Sequence, residues 1–259
     1  MKDIENTIAE YEKENSDLKK EIENLKQFLE LKDYQLVNVF ANLSHELRTP
    51  LNGLLGFSEL LGSLEISCEE VKLYTSVIVE SSNMLMDILN DAFDIVKIEA
   101  GSYKIYPEAF DLNELLFDIY IKYKPEAEKK NLQFFLENLI SEEYFIESSR
   151  DSIQKVLSKL IENAIKYTKQ GWVKIKYTEI DKQIWFYVED SGIGVNKAVQ
   201  PKLFHSFVSE QVSKSRHVSG TGLDLTLCSG LVNLLGGTIL YVPVEDQGSV
   251  FKFSIINYK

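Results

Sequence analysis

Ser44-His45-Glu46-Leu47-Arg48-Thr49-Pro50-Leu51 sets one of only three histidines in the chain beside a carboxylate, just upstream of a proline. An imidazole that is to accept a phosphoryl group needs solvent access, a free ring nitrogen and a nearby group to take its proton. Glu46 supplies such a group. A surface helix with a stray histidine would give the same octapeptide, so its meaning depends on what surrounds it.

Upstream, apolar residues recur at spacings of three and four: Ile4, Ile8, Tyr11, Leu18, Ile22, Leu25, Leu29, Leu36, Val39 and Leu43. Asn15 and Lys32 fill the two gaps. This is a heptad seam flanked by Glu and Lys, the pattern of a parallel coiled coil. With Leu43 at position a, Asn15 also falls at a, where a buried Asn fixes register and favours two strands. The same register puts His45 at position c, away from the seam, so the helix presents its imidazole outward. Pro50 lies inside the helical pattern and is expected to weaken or kink it.

Downstream, Gly62 to Ser67 reads as a turn. Then Val71, Tyr74, Ile78, Ser81, Leu85, Ile88, Ala92 and Ile95 repeat the alternation. Two helices with facing seams make an antiparallel hairpin, and two hairpins close into a four-helix bundle. Beyond Gly101 the pattern changes. Ser102 to Tyr106 reads as a strand, Phe110 to Glu128 as a helix with Asp111 as N-cap, and Asp151 to Thr168 as a second helix. The latter carries Ile153, Val156, Leu157, Leu160, Ile161 and Ala164 on one face. Alternating strands follow at 173–177, 184–188, 238–242 and 250–255. The chain is therefore read as multidomain. A coiled-coil helix spans 1–35, a helical hairpin forming a dimeric four-helix bundle spans 36–101, and an α/β domain (an α+β sandwich) spans 102–259.

Composition narrows the chemistry. A formal net charge of −12 argues against nucleic acid and anionic membranes as bulk partners. Cys68 and Cys228 match no metal or disulfide pattern, which fits a reducing, cytoplasmic setting. No apolar run approaches the roughly 18 residues that would span a bilayer. Membrane attachment would therefore have to come from a sensor region N-terminal to this stretch.

Three further segments carry chemistry. Ile161 to Thr168 puts Asn163, Lys166 and Tyr167 on a helix, with Lys159 one turn earlier on the same face. The Asn163 carboxamide suits Mg²⁺, and Lys166 can reach a phosphate. Asp190-Ser191-Gly192-Ile193-Gly194 follows a strand; its carboxylate can accept from the amine of adenine, and its glycines let a flat ring approach. Gly220-Thr221-Gly222-Leu223 opens a helix running to about Leu235, a helix N-terminus suited to phosphate. The polar stretch Val208 to Ser219, bounded by Phe204 and Phe207, reads as a lid.

In this order and spacing, the segments resemble the sensor histidine kinases of two-component signalling, from about residue 36 to 256. Ser44 to Leu51 is similar to the H-box, and the segment ending Asn163-Ala164-Ile165-Lys166-Tyr167-Thr168 to the N-box. Asp190 to Gly194 is similar to the first glycine box, Leu203 to Phe207 to the F-box, and Gly220 to Leu223 to the second glycine box. The connector Ile98-Glu99-Ala100-Gly101 and Phe110-Asp111-Leu112 also resemble the family. The resemblance implies that 36–101 is a dimerisation and histidine phosphotransfer domain and that 102–259 is a Bergerat-type ATP-binding domain. His45 would take the γ-phosphoryl group of ATP and pass it to an aspartate of a response-regulator receiver domain. Glu46 would be its general base or orient it, and Thr49 would position water for dephosphorylating the receiver. Asn163 would hold Mg²⁺ and Asp190 would read adenine. Lys166, Tyr167, Gly192, Gly194, Phe204, Phe207, Gly220, Thr221, Gly222 and Leu223 would line the nucleotide.

The chain departs from the family pattern at Lys159, where an asparagine is usual, and at Asp224, where a glycine is usual. His205 and Ser206 replace an acid and a proline. Lys159 and Asp224 are expected to offset each other across the phosphate site. The departures also raise an alternative, a catalytically impaired nucleotide-binding scaffold that relays conformation to a receiver.

Overall fold

The computed structural model describes residues 43–44, 46–62, 66–137, 143–181, 183–204, 223–244 and 248–256, with five helical positions between Lys19 and Lys26. The rest of the expected coiled coil lies outside the described residues. Helix α1 covers residues 46–61 and α2 covers Cys68–Glu99, 32 residues long. Helix α2 starts on a capping box in which the Ser67 hydroxyl accepts from the Glu70 N–H and the Glu70 carboxylate accepts from the Ser67 N–H. The two helices run antiparallel as expected. Gly53 faces Ser81 so closely that a Cβ there would sit 3.0 Å from the Ser81 Oγ, and the Phe57 and Tyr74 rings meet at 5.5 Å. Contrary to the expected weakening, α1 stays helical through Pro50, whose ring is buried, so packing offsets the missing backbone donor.

After α2 come β1 (Glu108–Asp111), α3 (Leu112–Lys129), β2 (Leu132–Glu137), β3 (Phe145–Ser148), α4 (Arg150–Tyr167), β4 (Gly171–Ile180) and β5 (Gln183–Asp190). A 3₁₀ turn (Gln200–Lys202), α5 (Leu223–Leu234), β6 (Ile239–Pro243) and β7 (Ser249–Ile256) complete the order. The larger sheet runs β2-β4-β5-β7-β6, with β2 parallel to β4 and the other pairs antiparallel. Its inner face is laid down by strict alternation: Val173, Ile175 and Tyr177; Ile184, Phe186 and Val188; Phe251, Phe253 and Ile255. Helices α3, α4 and α5 cover that face. Helix α4 contributes Ile153, Val156, Leu157, Leu160, Ile161 and Ala164, as its periodicity predicts. The expectation of one sheet covered by helices is met.

The strand expected at Ser102 to Tyr106 does not form. Tyr103 and Ile105 pack against the core as an unpaired extended connector, and the strand lies later, as β1 paired antiparallel with β3. Asp111 caps α3 as expected, accepting from the Asn113 N–H at 3.0 Å.

The α/β half is docked on its own α2. Ile88 and Ile95 of α2 belong to the continuous buried core. A Cβ at Gly230 of α5 would fall 3.0 Å from Ile98 Cγ2, so the glycine lets α5 lie close against α2.

Candidate functional site

Helix α4 is the spine of the site. It starts with Ser149 as N-cap and ends at Thr168. From Lys159 to Thr168 the helix advances about 13 Å at its ordinary rise, enough to lay an extended nucleotide alongside.

At its C-terminal end, Asp190 is 5% exposed and accepts from the Gly192 N–H at 2.8 Å. Burial pushes its carboxyl up to about 6, against the downward pull of the Gly192 hydrogen bond and of Ser249. Thr168, 1% exposed, has a hydroxyl with no hydrogen-bond partner among the described residues. A Cβ on Gly192 would sit 2.7 Å from the Tyr167 carbonyl, 2.8 Å from Asp190 Oδ1 and 2.9 Å from Thr168 Oγ1. Only glycine fits there. Gly194 has φ of +69°, a conformation that side chains disfavour. A buried acceptor, an unsatisfied hydroxyl and a cradle cleared of side chain suit the polar edge of a purine. Sequence reasoning singled out Asp190, Gly192 and Gly194 but passed over Thr168, whose signal was only its place at the end of the N-box segment.

From Lys159 to Lys166, α4 faces a cavity of about 1060 Å³. Asn163, Lys166, Leu223 and Asp224 stand on one wall, and Glu46 and Thr49 on the other. The Asn163 carboxamide is half-buried there, and the Lys166 ammonium lies 5.5 Å from the centre of the Tyr167 ring. Leu223 opens α5 and is buried. Phe204 sets its ring edge-on to Phe251 at 6.3 Å. Asp190, Gly192 and Gly194 are not in this cavity; they form the other end of the site. His45, Phe207, Gly220, Thr221 and Gly222 lie outside the described residues, as does the expected lid over Val208 to Ser219.

Lys159 and Asp224 do meet, at 3.3 Å. A third partner was missed: Asp91 of α2, side chain 8% exposed, pairs with Lys159 and lies 3.3 Å from the Lys155 ammonium. Lys155 also reaches Asp94 Oδ2 at 2.6 Å. Burial alone would lower the pKa of Lys159, but the charges of Asp224 and Asp91 outweigh it and hold the ammonium above its usual range. Alongside, the Tyr123 hydroxyl donates to Glu162 Oε1 at 2.6 Å. The hint of Asp91 was a carboxylate on the α2 face that also carries Ile88 and Ile95, but its partner lies 68 positions away.

Comparison with known proteins gives the arrangement its family. The model of the His Kinase A (phospho-acceptor) domain matches residues 35–101. The model of the histidine kinase-, DNA gyrase B- and HSP90-like ATPase matches residues 148–258. The chain is 34% identical over 221 residues to the sensory/regulatory protein RpfC of Xanthomonas campestris pv. campestris, across 83% of this chain and 30% of RpfC. It is 32% identical over 253 residues to the autoinducer 2 sensor kinase/phosphatase LuxQ of Vibrio cholerae, across 96% of this chain and 29% of LuxQ. The chain thus spans about 30% of the length of these curated relatives. Among solved structures it matches histidine kinase ThkA in complex with response regulator protein TrrA, with a TM-score of 0.61 and 25% identity, over 83% of this chain and 60% of that one. With a phospho-acceptor hairpin followed by an ATPase domain of this type, the chain belongs to the sensor histidine kinases.

Proposed function

We propose that the chain is an ATP-dependent protein-histidine kinase that phosphorylates His45 and passes the group to an aspartate of a response-regulator receiver domain. The observation that carries this is the shared cavity, which brings Glu46 and Thr49 of the acceptor helix opposite Asn163 and Lys166 of the ATPase half. Adenine would sit against Asp190, Thr168 and Gly192, with the triphosphate running along α4 toward Asn163. Mg²⁺ fits the Asn163 oxygen, a hard ligand at the cavity wall, and when bound it would neutralise phosphate charge. Glu46 would take the imidazole proton, and Thr49 would position water against a phosphorylated receiver. The relatives support the downstream steps: one is named a sensor kinase/phosphatase, and the ThkA structure contains a response regulator.

The natural division of labour is a coiled-coil signalling helix over 1–35, dimerisation and phosphotransfer over 36–101, and ATP binding over 102–259. A homodimer is supported by a stripe on α2, where Val79, Met86 and Phe93 recur every seven residues and remain exposed in the single chain.

Purified protein given γ-labelled ATP should acquire acid-labile, alkali-stable phosphate. His45→Gln should remove the label while nucleotide binding survives. Label persisting on that variant would refute the assignment. The second reading, a nucleotide-binding scaffold, draws on the engagement of Lys159 by Asp91 and Asp224 at the position where the family usually has asparagine. It predicts nucleotide binding without phosphohistidine in the native protein.

A further inference from the structure

Helix α2 and the first turn of α5 hold the same ammonium. Lys159 projects from α4 with its side chain 16% exposed; Asp91 of α2 takes it on one side and Asp224 of α5, at 3.3 Å, on the other. The two carboxylates belong to different halves of the molecule. Asp224 travels with the α/β half, whereas Asp91 meets Lys159 only while that half is seated on α2. The other oxygen of Asp91 lies 3.3 Å from the Lys155 ammonium, one turn earlier on α4. Lys159 can therefore change partners without leaving Asp91 as a bare buried charge.

Lys159 also stands one helical turn before Asn163, on the face of α4 that lines the cavity with Lys166 and Asp224. The described wall of that cavity carries twice as many carboxylates as ammonium groups, and the latter are Lys72, Lys159 and Lys166. A polyphosphate brought there meets an excess of negative charge, and an ammonium already shared between carboxylates offsets less of it. With Asp91 in place, the Lys159 charge serves two anions. With Asp91 withdrawn, it serves Asp224 alone, and the wall is less negative by one unit.

We infer that Lys159 is a shared counter-ion through which seating on α2 and phosphate binding oppose each other: Asp91 weakens the hold of the α/β half on the phosphates of a nucleotide, and a bound polyphosphate draws Lys159 from Asp91 and loosens the seat. This rests on the ATP-binding reading above and adds to it a device that the neutral asparagine usual at this position would lack. Because the two effects are linked, each equals the other in size.

Two measurements on the full chain test this. Calorimetric titrations with adenosine, ADP and a non-hydrolysable ATP analogue compare the wild type with Asp91→Asn. The analogue should bind the variant about two- to fivefold more tightly, the size expected of one charge acting across a partly aqueous cavity, while adenosine binds both proteins alike and ADP falls between. Equal affinity of the two proteins for the analogue, or a gain that adenosine shares, overturns the inference. The second measurement leaves the contact itself unaltered. Spin labels on the exposed thiol of Cys68 and on Gln133→Cys, an exposed position of β2, report the distance between α2 and the sheet, with labelled chains diluted among unlabelled ones. Cys228 is buried and does not compete for label. The analogue should lower the ratio of seated to unseated protein by the same factor, and adenosine should leave it as it is. An analogue that leaves or raises the seated population overturns the inference. If the wild type binds none of the three ligands, the ATP-binding reading falls and the inference falls with it.

Discussion

Asp91→Asn is the sharpest perturbation of the docked arrangement, because asparagine preserves the side-chain volume and removes only the charge. Asp91 faces two ammonium groups from α4, at side-chain exposures of 16% for Lys159 and 27% for Lys155. At about 4 Å and an effective dielectric of about 20, one such pair is worth roughly 4 kcal/mol before desolvation is counted. Truncating one partner of a buried, hydrogen-bonded charge pair costs about 2–5 kcal/mol. Both lysines keep another carboxylate, Asp224 for Lys159 and Asp94 for Lys155, so the loss belongs near or below the low end, about 1–2 kcal/mol. At 1.36 kcal/mol per tenfold, the ratio of docked to undocked protein should fall roughly 5- to 30-fold. Asp91 lies on α2, away from Asp190 and Gly192, so the adenine contacts should hardly move, and any change in ATP affinity should arise at the phosphate end, where Asp91 lines the cavity with Lys159 and Asp224. Steady-state autophosphorylation should therefore show kcat reduced by up to roughly that factor, a fall larger than any change in the affinity of a fluorescent ATP analogue. An unchanged or increased kcat would refute the idea that this contact holds the productive geometry.

Lys159→Asn and Asp224→Gly should be non-additive in ATP affinity, with a coupling energy of about 0.5–3 kcal/mol, since the two side chains touch. Titration calorimetry on the cycle checks this, and strict additivity would contradict the ion pair. Asp190 should give the nucleotide-free protein a pH signature. Its folded value of about 6 lies above the ordinary 3.8, so its stabilising proton is fully present below about pH 4 and lost as pH rises through 6. That is worth about 2–3 kcal/mol at most, and Asp190→Asn should flatten the pH dependence of unfolding in that window. Adenine binding to the wild type should weaken below pH 6 as the acceptor charge is titrated away, measured with the same fluorescent analogue. Thr49→Ala should spare autophosphorylation and slow receiver dephosphorylation; equal loss of both would make Thr49 a structural residue.

Much of this architecture was legible because burial writes a period into the chain. The face of α4 from Ile153 to Ala164 and the alternation Val173-Ile175-Tyr177 each face the core, and each followed from spacing alone. What escaped depends on partners far off in sequence. Leu132 to Glu137 alternates too, but its standing as β2 requires β4, with Leu132 opposite Gly171. Ser102 to Tyr106 has the right apolar alternation and no neighbour to pair with, so it remains a connector. In the site, Asp190, Asn163 and the departures at Lys159 and Asp224 could be read from motif positions. Asp91 could not, because nothing local distinguishes a carboxylate bound to a distant lysine from one facing water. The stripe Val79, Met86, Phe93 went unremarked for a related reason: the hairpin seam ran through other residues of the same helix, and two apolar faces on one helix blur each other's period.

Helix α2 is 32 residues long and so extends about 48 Å as one rod, shared by the hairpin at its start and the docked ATPase half at its end. Such a rod transmits torque. The Asp91 carboxylate rides roughly 5–6 Å from the helix axis, the usual outer radius of a helix with its side chains. A turn of about 30° around that axis would carry it roughly 3 Å sideways on that radius, most of the reach of an ion pair. Rotation delivered anywhere along α2 would therefore be read at Lys159 as a change of partner, from Asp91 to Asp224 alone. A twist too small to unpack the hairpin could in this way set how firmly the distant ATPase half is seated.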